Sequence, residues 1–290
     1  MTGVLLAVIA MAGWGVGDFF IQRTIRRIGS VKTLWYIGMS GLVLLLPLAW
    51  NDIVPAFQSA SNVALLLLLL AIAMFAALFN FEGFRLGKIA VIAPILGLEL
   101  PIIVALSMVF RGERLDMLQG LLIAAIFIGL VLVISAQPLR QYLRNHGRLE
   151  KGAMWAGLGA VGLALSTFLT GVASQDISPA VTVWFVHGAV GVVSGLILAG
   201  QGQLKGIRHD LKSSGSLIVV MALLDNVAWM AFAFAATFIP ISIATAISES
   251  YIALSAVLGV RYNREKLINH QIFGIVTVAA AVVILSYLTA

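Results

Sequence analysis

Ten runs of predominantly apolar residues follow one another along the chain with little between them: Gly3 to Ile21, Leu34 to Trp50, Val63 to Phe84, Ile89 to Phe110, Leu118 to Ser135, Ala153 to Ala173, Val181 to Ala199, Ser216 to Phe238, Ile241 to Val260 and Ile272 to Leu288. An α-helix needs about 20 residues to cross the roughly 30 Å hydrocarbon core of a bilayer, and each run has about that length. The runs do not alternate apolar and polar residues, so strands are excluded. A backbone facing lipid must close its hydrogen bonds within its own segment, which leaves the helix. The expectation is an all-α integral membrane protein with ten transmembrane helices. Only 10% of residues are charged and the mean hydropathy is +1.06, so no water-soluble domain fits between the spans. The first ten residues lack a basic start and a small-residue cleavage pattern, and read as part of a retained first span.

Loop charge sets the orientation. Sixteen of the eighteen Lys and Arg fall in the loops after runs 1, 3, 5, 7 and 9, and the other side holds Arg111 and Arg114. Cytoplasmic loops carry the excess of positive charge, so both termini are expected outside. The net charge of +6 is thereby explained by topology, and a nucleic-acid partner is not expected. There is no cysteine, so disulfides, thiolate metal sites and a Cys nucleophile are absent.

The two halves resemble each other. Thr33-Leu34-Trp35-Tyr36 lines up with Thr182-Val183-Trp184-Phe185 at an offset of 149. Gly97-Leu98-Glu99-Leu100 aligns with Ile247-Ser248-Glu249-Ser250 at 150, and Gly112-Glu113-Arg114-Leu115 with Arg264-Glu265-Lys266-Leu267 at 152. Five spans per half is an odd number, so the second copy must lie inverted relative to the first. The chain divides into a first five-helix repeat over 1–136, a basic cytoplasmic linker over 137–151 and a second five-helix repeat over 152–290.

With Trp14-Gly15 in the first run, the Glu113-Arg114-Leu115 and Glu265-Lys266-Leu267 turns, and the Gly/Ala-rich fifth and tenth runs, the whole chain resembles the EamA-like members of the drug/metabolite transporter superfamily. In the second half Leu163-Ala164 stands where the first has Trp14-Gly15, and Ala244 stands opposite Pro94. The resemblance implies a multi-pass protein of a prokaryotic inner (plasma) membrane. It also implies secondary transport or export of a small metabolite by alternating access, with the fifth helix of each half buttressing the others.

Ionisable residues at mid-membrane depth are costly and mark functional positions. Glu99, Glu249, Asp225 with Asn226 beside it, and His187 are central in their runs; Asp18 lies nearer the end of its own, and Glu82 can pair along its helix with Arg85. On a helical wheel Glu249 shares a face with Ser242, Thr245, Ala246, Ala253 and Ala256, a small and polar stripe suited to a cavity wall. Pro94 and Pro101 are expected to kink the helix that carries Glu99. Two carboxylates at one cavity could take up and release a proton in each cycle. The alternative for both is a permanently neutral group or interhelical glue, and for His187 a satisfied buried imidazole.

Trp35, Trp50 and Trp155 fit interfacial belts. Trp14 shares a face with Asp18, Trp229 follows Asp225 by one turn and Trp184 precedes His187 by three residues, so three helices set an aromatic beside a polar group. That combination suits an ammonium, although buried tryptophans also simply pack. Glu113 and Glu265 are expected to cap or pair at the membrane surface, and Gly191-x3-Gly195 to permit close helix contact.

The expected substrate is therefore a small organic metabolite, an amino acid or an amine-bearing solute. It is carried by rocking of two halves around a midplane cavity, with proton antiport through Glu249 joined by Glu99. The rivals are an uncoupled facilitator or channel, and an intramembrane enzyme, for which no clustered metal or nucleophile set is found. No cofactor or metal is expected; membrane lipid is, the oligomeric state is open, and a monomer is compatible with this fold.

Overall fold

A computed structural model describes residues 1–86, 95–134, 152–254, 257 and 267–289, so the basic linker at 137–151 lies outside the described residues. Among them there is no strand. Eleven α-helices follow in order: α1 (Thr2–Ile28), α2 (Ser30–Leu44), α3 (Leu46–Gln58), α4 (Ala60–Leu86), α5 (Glu99–Phe110), α6 (Met117–Ile134), α7 (Ala153–Asp176), α8 (Pro179–Gly200), α9 (Ile207–Phe238), α10 (Ile241–Glu249) and α11 (Asn269–Thr289), with a short 3₁₀ turn at Gln203–Gly206.

Five of these helices are long and apolar enough to cross a bilayer, and the α2–α3 pair, bent by 79°, makes a sixth. The expected ten uninterrupted spans are thus met only in part. Thr2–Gly17, Glu99–Phe110, Met117–Val133 and Ile241–Leu254 are apolar but shorter. Two of those four belong to runs that break in mid-course. The fourth run turns at Gly97-Leu98 and restarts as α5 at Glu99, and the ninth ends α10 at Glu249 and turns at Ser250. The expected kink is therefore a break. Pro101 falls in the first turn of α5, where its missing N–H costs nothing, and Pro94 lies outside the described residues.

Each of the four most extensive helix pairings joins one half to the other: α1 with α9, α4 with α7, α2 with α8 and α6 with α11. Exchanging the halves maps this set onto itself. All four pairs run antiparallel. Gly3, Gly13 and Gly17 lie against Ile239, Ala228 and Leu224, so residue numbers rise on α1 as they fall on α9. Likewise Gly188, Gly191 and Gly195 of α8 meet Leu42, Gly38 and Trp35 of α2. Because α2 and α8 are equivalent members of the two halves, their opposed direction is the inversion that an odd number of spans per half requires.

Small residues let these backbones approach. The Gly38 and Gly191 backbones touch, with no room for a Cβ on either. Large apolar side chains point outward instead, among them Leu67, Val109, Phe110, Val276 and Val283, each more than half exposed. A soluble protein would hide such residues; here they form the surface that lipid covers.

Candidate functional site

A cavity of about 570 Å3 lies between the halves, within the size range of small-molecule sites. Trp14 and Ile25 of α1 both line it, and eleven residues of helix make it at least about 16 Å long. It reaches Ser30, at the turn between α1 and α2.

Both helix breaks meet this cavity. Leu96, Gly97 and Glu99 line it where α5 begins, and Glu249, Tyr251 and Ile252 where α10 ends. Glu99 is 8% exposed and its Oε1 accepts a 2.7 Å hydrogen bond from Thr167 Oγ1 of α7, a bond between the halves. Glu249 is 9% exposed and Asp225 8%. An N-terminal helix end is partly positive and a C-terminal end partly negative, so α5 and α10 present opposite poles to the same space. Glu99 occupies the first turn of α5 and so already answers its positive pole.

The aromatic wall is continuous. Trp14 and Trp229 meet edge to face with centroids 5.1 Å apart, Tyr251 lies 6.1 Å from Trp14 and His187 6.2 Å from Trp229. Six of the nine residues singled out in the sequence line the cavity: Glu99, Glu249, Asp225, His187, Trp14 and Trp229.

The other three are placed differently. Asn226 Nδ2 faces the carbonyls of Ile37 and Ala222 and the Ser40 hydroxyl, and its Oδ1 lies 2.9 Å from His187 Nδ1. It ties α9 to α2 and α8, and orients the His187 ring. The Trp184 indole N–H donates to the Leu42 carbonyl at 3.0 Å, again joining α8 to α2. Asp18 lies on α1, and its side chain is outside those described. Neither Glu82–Arg85 pairing nor the Glu265 turn can be placed, since the Arg85 side chain and residue 265 are also outside them.

Several uncharged wall residues are not among those singled out in the sequence as site candidates: Asn80, Thr167, Thr170 and Thr182. Hydroxyls are common in membrane helices because they can bond back to their own backbone, as Thr170 does to the Ser166 carbonyl. The four-residue spacing of Ser166, Thr170 and Ser174 was the available clue to the polar face of α7. Asn80 Oδ1 and Thr182 Oγ1 are buried and have no hydrogen-bond partner among the described residues. No group of three His, Asp or Glu close enough to hold a metal occurs there either.

Polar ties between the halves close the end of the bundle near the N-terminus. Arg111 reaches Asp176 with two 3.0 Å bonds and Gln175 at 2.7 Å, and Ser178 donates to Asp52 at 2.7 Å. The Glu113 carboxylate receives the backbone N–H groups of Ile241 at 2.6 Å and Ser242 at 3.1 Å, and the Ser242 hydroxyl at 2.5 Å. Gly112, with φ 63, gives the turn after α5 that lets Glu113 reach across. At the other end, beside the cavity, Lys32 pairs with Asp210 at 2.8 Å and Tyr36 donates to the Ile207 carbonyl at 3.0 Å.

The model of the EamA-like transporter family matches residues 1–135 and 150–287, one match in each half. No curated protein matches the chain. Among solved structures 28 chains match. One, described only as a crystal structure of a protein, is similar over 100% of this chain and 99% of its own, with a TM-score of 0.73 and 14% identity. At that identity the likeness carries the fold alone.

Proposed function

This chain belongs to the EamA-like transporter family, membrane proteins that transport small solutes, and from that membership we propose that it carries an amino acid or an amine-bearing metabolite by alternating access. One observation carries the reading. A single cavity touches both halves of the molecule, and the two mid-membrane glutamates, Glu99 and Glu249, meet it where their helices are interrupted. Interrupted helices at the interface of inverted repeats are where transporters bind solute and coupling ion. Rocking of one half against the other would part the ties near the N-terminus and close the cavity at its Ser30 end, exposing the same cavity to each side in turn. The loop charges support termini that face outside, and the setting that goes with this reading is a prokaryotic inner membrane. Proton antiport through Glu249, joined by Glu99, completes the cycle: the carboxyl that releases solute takes up a proton.

Reconstituted vesicles with a pH-sensitive dye inside, challenged with a panel of amino acids and amines, test this directly. Solute-driven proton movement is expected in the unaltered protein and should vanish in Glu249→Gln while binding persists. Solute flux that is silent in protons and unchanged by the substitution would instead identify an uncoupled facilitator.

A further inference from the structure

Asn226 decides which nitrogen of His187 carries a hydrogen. Asn226 Nδ2 lies 2.8 Å from the Ala222 carbonyl, 3.2 Å from the Ile37 carbonyl and 3.2 Å from Ser40 Oγ. The Ser40 hydroxyl donates its own hydrogen to the Ile37 carbonyl at 2.8 Å, so all three neighbours are acceptors and the amide nitrogen must face them. That sets Asn226 Oδ1, which can only accept, 2.9 Å from His187 Nδ1. Nδ1 is therefore the donor, and in the neutral ring Nε2 is a bare acceptor. Gly41 makes room for this pair: a Cβ there would run into both Asn226 Oδ1 and His187 Cβ.

The His187 ring stands in the cavity wall, edge to face with Trp229, and its Nε2 has no hydrogen-bond partner among the described residues. A solute that fills this part of the cavity without a donor displaces water from Nε2 and leaves the acceptor unpaired. The other polar wall groups do not make the same choice. The Thr182 hydroxyl, buried and without a partner among the described residues about 8 Å away along α8, donates as readily as it accepts, and the Asn80 amide does both. The N-terminus of α2, which would draw a negatively charged group, is at Ser30, about 16 Å along that helix from Gly41.

We propose that His187 Nε2 is a hydrogen-bond acceptor for the solute and selects one that brings a neutral donor, such as a hydroxyl, into the cavity; this rests on the transporter reading above. In protein labelled with 15N-histidine, nuclear magnetic resonance should show the His187 hydrogen on Nδ1 and none on Nε2, with the signals assigned by their loss in His187→Asn. Three pairs of solutes that share a charge and differ by one hydroxyl then test the contact: threonine with valine, tyrosine with phenylalanine, and tyramine with phenethylamine. In at least one pair the hydroxylated member should bind about 3- to 30-fold more tightly and move the Nε2 signal, which its partner leaves in place.

His187→Asn keeps an N–H for Asn226 and has nothing in the place of Nε2, so the preference should fall to within about twofold. His187→Gln, which returns an acceptor to that place, should restore most of it. The cavity carboxyls are common to all three proteins, so the variants isolate the histidine. Should the variants not fold, the tautomer and the matched pairs decide on the unaltered protein, with the Nε2 signal assigned by its response to the hydroxylated solute. A hydrogen on Nε2 in the solute-free protein overturns the proposal, as do pairs without a preference, a preference that survives in His187→Asn, and binding of none of the six. Flux of any solute from the wider panel leaves the transporter reading standing in each of these events. Binding of a hydroxylated solute with no flux of any solute would instead remove that reading and keep the contact.

Discussion

Glu113, just beyond the end of α5 in the first half, caps Ser242, the second residue of α10 in the second half, through both its backbone N–H and its hydroxyl. Because α10 is only nine residues long and ends at Glu249, this cap fixes the outer end of a rod, about 13 Å long, whose other end lies in the cavity wall. Removing it leaves two backbone donors and a hydroxyl without their acceptor. Glu113→Ala is expected to destabilise the protein by roughly 1–3 kcal/mol in thermal unfolding, with Glu113→Asp retaining more than Glu113→Gln because charge-assisted bonds are the stronger ones. A Gln variant as stable as the unaltered protein would show that the charge is irrelevant to the cap.

The contact between Gly38 and Gly191 predicts a sharp positional contrast among glycines. Gly38→Ala forces backbones apart and should cost about 1–3 kcal/mol or more. Gly157→Ala, inside α7 with open space where the methyl would go, should gain about 0.5–1 kcal/mol. Melting midpoints of the two variants measure both; equal effects would contradict the close approach of α2 and α8.

Asn226 holds three helices together from a position 1% exposed, so its loss should appear in stability before transport. Asn226→Val is expected to lower unfolding free energy by about 1–3 kcal/mol, since buried carbonyls and the Ser40 hydroxyl lose their donor. Unchanged stability in the Asn226 variant would return that residue to the list of solute contacts.

Lys32–Asp210 and Arg111–Asp176 both bridge the halves, and their burial ranks them. Lys32 and Asp210 are 15% and 9% exposed in their side chains, Arg111 and Asp176 30% and 46%. Double-substitution cycles should give a coupling of roughly 0.5–3 kcal/mol for the first pair and below about 1 kcal/mol for the second. The second should also fade as salt is raised, and the reverse ranking would mean that solvent reaches Lys32.

Fold class was legible because lipid imposes a coarse rule: long apolar runs must be helices, and the positions of their mid-membrane charges can be read directly. The inversion was legible from an odd span count. The 79° bend at Leu45 was hidden inside one apolar run, although Pro47, at the start of α3, marks it in retrospect. Glu99 and Glu249 were found because burying an acid is expensive, whereas Thr167 and Thr182 look like any helical hydroxyl until the facing helix is known. Asn226 and Trp184 were singled out by the same reasoning as the cavity residues, but their polar atoms are occupied by neighbouring helices, a difference that only three-dimensional placement reveals.

Since the four most extensive pairings each join a helix of one half to a helix of the other, the first half lacks its main packing partners when it leaves the ribosome. At synthesis rates of about 5–20 residues per second, α1 to α6 must wait on the order of 7–30 seconds in the membrane for their partners. During that interval glycine-rich surfaces such as that around Gly38 are covered by lipid or by the insertion machinery. The two halves expressed as separate chains should therefore meet and assemble, while either alone is a substrate for membrane proteases.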